Sequence, residues 1–179
     1  MNKKAIIDID GCLNYYPQCF LDWLSNIKGL KFDNYDSFKS HFKESYILYK
    51  NEYRLSGVKR ELEVKSGSSE YINQLKQKGY IIYIVTSRHN IGNVYQDTYY
   101  WLKNNGIYFD ELFFIKKKGD LYLYCPDTNL IVVDDDINGL KPYFNLNNVD
   151  LVYFNSSRKK EYFSNNIKYV ESWEELILI

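Results

Sequence analysis

Cysteine is scarce in this chain and oddly placed: Cys12, Cys19 and Cys125, with no CxxC pair among them. Three scattered residues exclude a disulfide framework and a structural zinc site. Charge of one sign is also missing. Lys+Arg and Asp+Glu both total 23, so the net charge is zero, and no bulk basicity recruits nucleic acid or an anionic membrane. No extended nucleic-acid surface is expected. Glycine-rich phosphate loops are absent, since neither GxxxxGK[ST] nor GxGxxG occurs, and this argues against nucleotide-binding kinases and dehydrogenases. No apolar run approaches membrane-spanning length. The amino terminus, MNKKAIIDID, meets carboxylates too soon for a signal peptide. A soluble protein of the reducing cytoplasm, without a membrane partner, is expected. Internal repeats and Pro/Gly/Ser-rich linkers are also lacking.

What remains is enough for one domain. The chain has 179 residues, 45% of them hydrophobic, which supplies a real core but leaves no room for two full domains. Aromatic content reaches 18%, with 19 Tyr against 10 Phe and 3 Trp. Tyrosine buries bulk while keeping a polar tip.

Five apolar runs lack alternation and are rich in Ile, Val and Tyr, as strands buried on both faces are. They are Lys4–Ile9, Tyr80–Val85, Leu112–Ile115, Leu130–Val133 and Leu151–Phe154. Helical spacing falls between several of them. Ser68 or Ser69 caps a segment with Tyr71, Ile72 and Leu75 on one face, ending at Gly79. A second has Tyr95, Tyr99 and Leu102 in register and ends at Gly106, and Ser172–Leu178 reads as a short closing helix. Such alternation predicts an α/β fold with a parallel sheet flanked by helices. One stretch breaks the rhythm. Cys19–Ile27 and Asp36–Tyr53 read as amphipathic helices, with Phe20, Trp23 and Leu24, then Phe38, Phe42 and Tyr46, facing inward. Residues 15–67 are therefore expected to form a small helical cap inserted after the first strand, with Leu55–Gly67 as the return. The core comprises residues 1–14 and 68–179.

Chemistry-bearing residues gather at strand ends. The first strand closes in Asp8-Ile9-Asp10-Gly11, with both carboxylates on one side of an extended segment. The second closes in Thr86-Ser87-Arg88, whose hydroxyls suit a phosphate oxygen as well as a helix cap. Lys116-Lys117-Lys118 follows the third strand. Asp134-Asp135-Asp136 follows the fourth, and three adjacent carboxylates repel one another unless a cation neutralises them. Mg²⁺ is the usual hard cation where phosphate is also bound. Carboxyl ends of parallel strands converge at one edge of the sheet. Carboxylate pair, hydroxyl, lysine and carboxylate pair, in that order, compose a phosphoryl-transfer site.

In these motifs the chain resembles the haloacid dehalogenase superfamily of aspartate-nucleophile phosphatases, whose motifs run DxDG, a strand ending in Thr or Ser, a Lys, then an acidic pair. Within it the layout is similar to the 5'(3')-deoxyribonucleotidases, through the cap after the first motif, YQDTYYWLKNNG at Tyr95–Gly106 and ESWEEL at Glu171–Leu176. The resemblance implies a Rossmann-like core and a Mg²⁺-dependent phosphomonoesterase acting on nucleoside monophosphates. It makes Asp8 the nucleophile and Asp10 the general acid and then base. Thr86 becomes the phosphoryl-binding hydroxyl, and Lys118 the motif-three lysine, with Lys116 and Lys117 close enough to compete. Asp135 becomes a Mg²⁺ ligand beside Asp8 and the Asp10 backbone carbonyl, with Asp134 in support. Tyr16, with Tyr15 adjacent, falls where the family packs an aromatic ring on the base. Phe42, Tyr46 and Tyr49 are candidates to complete that slot. Ser87 and Arg88 stand near the substrate phosphate, although a surface ion pair accounts for Arg88 equally well. The spacing from Lys118 to Asp134 is longer than the family pattern, with Cys125-Pro126-Asp127 in the excess. His41 and His89 lack a metal or triad context. Alternatives are a polynucleotide 3'-phosphatase, a phosphatase of another small metabolite, and a non-catalytic binder of a phosphorylated ligand.

Overall fold

Uninterrupted apolar strands need cover on both faces, and the protein provides it. A computed structural model describes residues 3–118, 120–121, 129–154 and 167–177. Its strands are β1 (Lys3–Asp8), β2 (Tyr80–Thr86), β3 (Glu111–Phe114), β4 (Asn129–Asp134), β5 (Val149–Phe154) and β6 (Ile167–Val170). They pair in parallel throughout, in the order β3-β2-β1-β4-β5-β6. The five expected strands form, and β6 is an addition. Its sequence IKYV is short and half-polar, and it pairs only with β5 at the sheet edge.

Helices α4 (Ser68–Gln77) and α5 (Val94–Asn104) lie between these strands in the chain. Successive strand residues face opposite layers. Ala5, Ile7, Ile82, Ile84, Ile131 and Val133 join Tyr71, Ile72 and Leu75 of α4 and Trp101 of α5 in one layer. Ile6, Val85, Leu130, Val132 and Leu151 pack in the other with Leu140 and Tyr143. Leu140 ends α6 (Ile137–Leu140), a single turn capped by the Asp136 carboxylate, which accepts from the Asn138 N–H at 3.0 Å. The closing helix is α7 (Glu174–Ile177). Leu178, the last residue of the expected helix, and Cys125-Pro126-Asp127 lie outside the described residues.

The inward face of α5 differs from expectation. Val94, Thr98, Trp101 and Leu102 are buried, while Tyr95 and Tyr99 are 39% and 37% exposed. Trp101 buries the larger ring and its indole N–H donates to the Leu62 carbonyl at 2.6 Å, whereas Tyr95 and Tyr99 rest against Phe114 and Phe109.

The insertion after β1 contains α1 (Gln18–Lys28), α2 (Tyr35–Phe42) and α3 (Tyr46–Leu55). The expected helix over Asp36–Tyr53 is broken at Lys43, whose φ of 48° leaves the right-handed helical region. Asn34 and Ser37 form a reciprocal capping box at the start of α2. Phe20, Trp23, Leu24 and Phe38 are buried as expected, with Phe42 and Tyr46 half-buried. These residues belong to the same apolar cluster as the sheet. The two connections of the insertion run side by side: Asn14 bridges Val64, and the Lys65 N–H donates to the Leu13 carbonyl at 2.8 Å.

Candidate active site

The strand order reverses at β1. β2 and β3 extend to one side and β4, β5 and β6 to the other. Ligands of such sheets bind outside the carboxyl ends at that reversal. Ile7 pairs with Val133, so one step further Asp8 stands beside Asp134. Each is the last residue of its strand. The two acidic motifs, 126 positions apart in sequence, thus meet at one point.

Asp8 and Asp134 are both buried, and one ammonium joins them. Lys118 Nζ lies 2.8 Å from Asp8 Oδ1 and 2.7 Å from Asp134 Oδ2. Among the three clustered lysines the geometry therefore selects Lys118. Lys116 and Lys117 are exposed. The Tyr143 hydroxyl donates to the Lys118 carbonyl at 2.8 Å, which fixes the lysine from its backbone side. Asp134 also accepts from the Asp136 N–H at 2.9 Å, so it orients Lys118 and lies behind the cavity wall.

Asp135 points back toward β1. Oxygen atoms of Asp8 and Asp135 and the Cys12 sulfur all lie within 4.8 Å of one another. Burial, with the Asp134 charge next, drives the Asp135 carboxyl up to about 7. Burial and the same neighbour also hold Asp8 well above the usual carboxylate range, against the opposing pull of Lys118. Two crowded hard carboxylates that favour protons are a donor set for a hard divalent cation. Cys12 is not part of that set, because burial and the nearby carboxylates keep it a thiol and a thiol suits softer metals. Gly11 makes the close approach possible. Its φ is +90°, and a Cβ there would stand 2.1 Å from Asp135 Oδ2.

Asp10 is placed differently. Arg88 grips it in a fork, with Nε donating to Oδ2 at 2.9 Å and Nη2 to Oδ1. Asn14 Nδ2 donates to Oδ1 at 3.0 Å, and Lys59 Nζ lies 3.9 Å away. Burial pushes this carboxyl up, but Arg88 and Lys59 outweigh it and hold Asp10 well below its ordinary value. Arg88 is itself buried, its Nη1 donating to Thr98 Oγ1 at 2.9 Å. The surface ion pair considered for Arg88 is thus replaced by an internal one.

These groups open into a cavity of about 570 Å³, a size that suits a small organic ligand. Asp8, Asp10, Ser87, Arg88, Lys118 and Asp135 line it from the strand ends. Thr86 is buried beneath, where its hydroxyl accepts from the Arg88 N–H at 3.2 Å, and the exposed Ser87 takes the place on the wall. From the insertion come Tyr16, Tyr35 and Tyr53. Tyr16 meets Tyr35 edge-on at 5.8 Å between centroids. Tyr15 is exposed, and Phe42 and Tyr49 pack on each other at 4.4 Å elsewhere in the insertion. The aromatic wall is therefore Tyr16 with Tyr35 and Tyr53, in place of Phe42, Tyr46 and Tyr49.

Sequence reasoning missed Asn14, Lys59, Lys50 and Arg54. Asn14 is buried and its amide oxygen accepts from the N–H groups of Gly11 and Tyr16, shaping the loop after β1. Lys59 is buried against Tyr53, 4.9 Å from the ring centre. Burial and the charge of Arg88 bring it down to about 7. It sits on a single 3₁₀ turn, Val58–Arg60, where no periodicity marks a position as inward. His41 and His89 are exposed.

No protein-family model matches the sequence, and no curated protein matches it. Solved structures do match. A predicted phosphatase from Clostridium acetobutylicum is 20% identical and superposes with a TM-score of 0.63, covering 99% of this chain and 97% of that one. A phosphoserine phosphatase in its apo form is 14% identical with a TM-score of 0.66, covering 99% and 98%. A HAD-superfamily hydrolase from Ehrlichia chaffeensis is 15% identical with a TM-score of 0.57, covering 99% and 96%. The strand order, the reversal at β1 and these superpositions agree: the chain has the fold of the haloacid dehalogenase superfamily over essentially its whole length.

Proposed function

We propose that this protein is a Mg²⁺-dependent phosphomonoesterase that works through an aspartyl-phosphate on Asp8, with nucleoside monophosphates as its substrates. The observation that carries the reading is the meeting of Asp8, Asp135 and Lys118 at one point of the cavity. Residues 15–67 serve as the cap and the remainder as the catalytic core. The protein's expected location is the cytoplasm.

Asp8 and Asp135 would hold Mg²⁺, joined by the Asp10 carbonyl and supported by Asp134. The ion supplies charge neutralisation that lets a dianionic ester approach an anionic nucleophile. Lys118, fixed by Asp134 and Tyr143, adds a second positive charge at the same place and favours ionised Asp8. An Asp8 oxygen attacks phosphorus, the ester P–O bond breaks, and the departing alkoxide takes a proton from Asp10. Water then attacks phosphorus while Asp10 takes its proton, and phosphate leaves. Proton transfer of this kind contributes about a hundred- to ten-thousandfold. Arg88 keeps Asp10 ionised when no substrate is bound. A phosphoryl dianion raises the Asp10 pKa by repulsion and competes for the guanidinium, so the acid is loaded when the ester arrives. Ser87, on the wall, donates to the phosphoryl oxygens, and Thr86 holds the turn beneath it. Tyr16 and Tyr35 offer ring surface to a nucleobase, with Tyr53 packed behind them, which favours nucleotides over sugar phosphates.

The test is phosphate release from nucleoside monophosphates, sugar phosphates and 3'-phosphorylated oligonucleotides, with Mg²⁺ and with EDTA. Nucleotide turnover that EDTA abolishes supports the reading, as does its loss in a folded Asp8→Asn variant. Full activity of Asp8→Asn removes the mechanism, and no turnover of any ester leaves the non-catalytic binder in its place.

A further inference from the structure

The positive charges of the cavity fall into two groups. Lys118 is matched by Asp8 and Asp134, and Arg88 and Lys59 are matched by Asp10. Among the described residues Lys50 and Arg54 are not matched. They stand one turn apart on α3, are half-buried, and line the cavity from the insertion. Among the described residues neither has a carboxylate within 4.0 Å. Their contacts are neutral. Arg54 Nη1 donates to Asn51 Oδ1 at 2.8 Å, and Lys50 Nζ lies 5.4 Å and 5.9 Å from the ring centres of Tyr35 and Tyr16. Asp36 also lines the cavity but is exposed and pairs with neither. Like charges at this helical spacing repel, and an anion between them would relieve that repulsion. The same field reaches an exposed histidine. His89, after β2, is held below its ordinary value by Arg54 first, then by slight burial, Lys116 and Lys50. Cations from α3 and from the loop after β3 thus act together on His89, on a chain whose net charge is zero.

We propose that the cavity takes phosphomonoesters carrying a second phosphate group, and that Lys50 and Arg54 hold that second phosphate while the first lies at Asp8. The proposal rests on the phosphomonoesterase reading above and names its substrate class more closely. A planar guanidinium fork and an ammonium on one helix face suit a tetrahedral oxyanion of high charge. Asn51 leaves most of the Arg54 donors for it. The Tyr16 and Tyr35 rings, beside which the Lys50 ammonium lies, line the same cavity and would receive the organic part of the ester. A nucleoside 3',5'-bisphosphate offers this chemistry. So does a phosphorylated oligonucleotide end, whose next phosphodiester is the second anion.

Steady-state phosphate release would be compared for a nucleoside monophosphate, the corresponding 3',5'-bisphosphate and a 3'-phosphorylated dinucleotide. At least one substrate carrying the second phosphate should exceed the monophosphate in kcat/KM by about ten- to a hundredfold. Which one does so identifies the source of the second phosphate. The ratio should fall toward one in the Lys50→Gln, Arg54→Gln double variant, mainly through KM, and below one in Arg54→Glu. Raising the ionic strength should shrink it. A wild-type ratio near one, or a ratio that survives in the double variant, overturns the proposal while leaving the phosphomonoesterase reading in place. Calorimetric binding of the bisphosphate and the monophosphate to the wild-type protein with Mg²⁺ gives a readout independent of turnover. Should no ester be hydrolysed, tighter bisphosphate binding that depends on Arg54 still supports the subsite, and equal binding sinks it.

Discussion

Gly11 shows how closely the first turn of the site is drawn. A methyl group there would occupy the space of the Asp135 carboxylate, and the φ of +90° already disfavours any side chain. Gly11→Ala should cost about 1–3 kcal/mol in denaturant unfolding and should weaken Mg²⁺ binding as Asp135 is displaced. Retention of both stability and metal affinity would show that Asp135 is free to move. The acidic pair also predicts how stability varies with pH. In the metal-free protein Asp135 titrates at about 7 in place of its ordinary 3.8, because the folded state favours the protonated form. Between those values the folded chain binds more protons than the unfolded one, so this contribution is fully present below about 4 and lost as pH rises toward 7. The Tm of the metal-free protein should therefore fall across this window. Added Mg²⁺ should raise Tm more at pH 7.5 than at pH 5, since the ion needs the ionised carboxylates. A metal-induced shift that is the same at both pH values would contradict the crowding described here.

Two indole N–H groups tie separate segments together around the site. Trp101 of α5 donates to the Leu62 carbonyl, and Trp173, just before α7, donates to the Cys12 carbonyl at 2.9 Å. The first anchors the return limb that carries Lys59, and the ion pair between Arg60 and Asp97 reinforces it. Trp101→Phe keeps an aromatic ring but removes the indole N–H, leaving the buried Leu62 carbonyl without its donor, and opens a small cavity at a buried site. A loss of about 1–3 kcal/mol is expected, measured by urea unfolding. A change below a few tenths would mean that the carbonyl finds another donor. At the carboxyl end of β3 the order of elements matters as much as composition. The strand delivers Lys118 to the rim beside Asp8, and Lys118→Met should lower kcat by about a hundred- to a thousandfold on the proposed mechanism. Activity close to wild type would remove that lysine from the chemistry.

The insertion and the sheet share one apolar cluster, in which Phe20, Leu24, Phe38 and Tyr53 pack with Ala5, Ile7, Ile84 and Val133. A cap with a core of its own would unfold separately. Here the shared cluster predicts one cooperative transition, with tyrosine fluorescence and backbone circular dichroism changing together. Two resolved transitions would show that the cap melts independently. The insertion lines the cavity with both rings and cations, Tyr16, Tyr35 and Tyr53 beside Lys50, Arg54 and Lys59. From the strand ends come Asp8, Asp10 and Asp135 with Arg88 and Lys118.

Much of this was legible in the order of residues. Runs without alternation announce strands covered on both faces, because burial of an entire strand leaves no polar positions. DxDG, the hydroxyl pair, the lysines and the acidic run each follow such a strand, and parallel strands deliver their carboxyl ends to one edge. Local pattern was therefore sufficient for the fold class and for the neighbourhood of the site. Periodicity reports which side of an element is apolar, but it says nothing about which charged side chain reaches which partner across the fold. Selection of Lys118 from three adjacent lysines, capture of Asp10 by Arg88, burial of Thr86 behind Ser87, and the turn of Trp101 inward past Tyr95 and Tyr99 all depend on distances between segments far apart in the chain. Lys50, Arg54 and Lys59 carry no local mark at all. Their meaning arises where α3 and the return turn fold over the ends of β1 and β2, since a cation acquires a role from the anion, or the space for one, that packing sets in front of it.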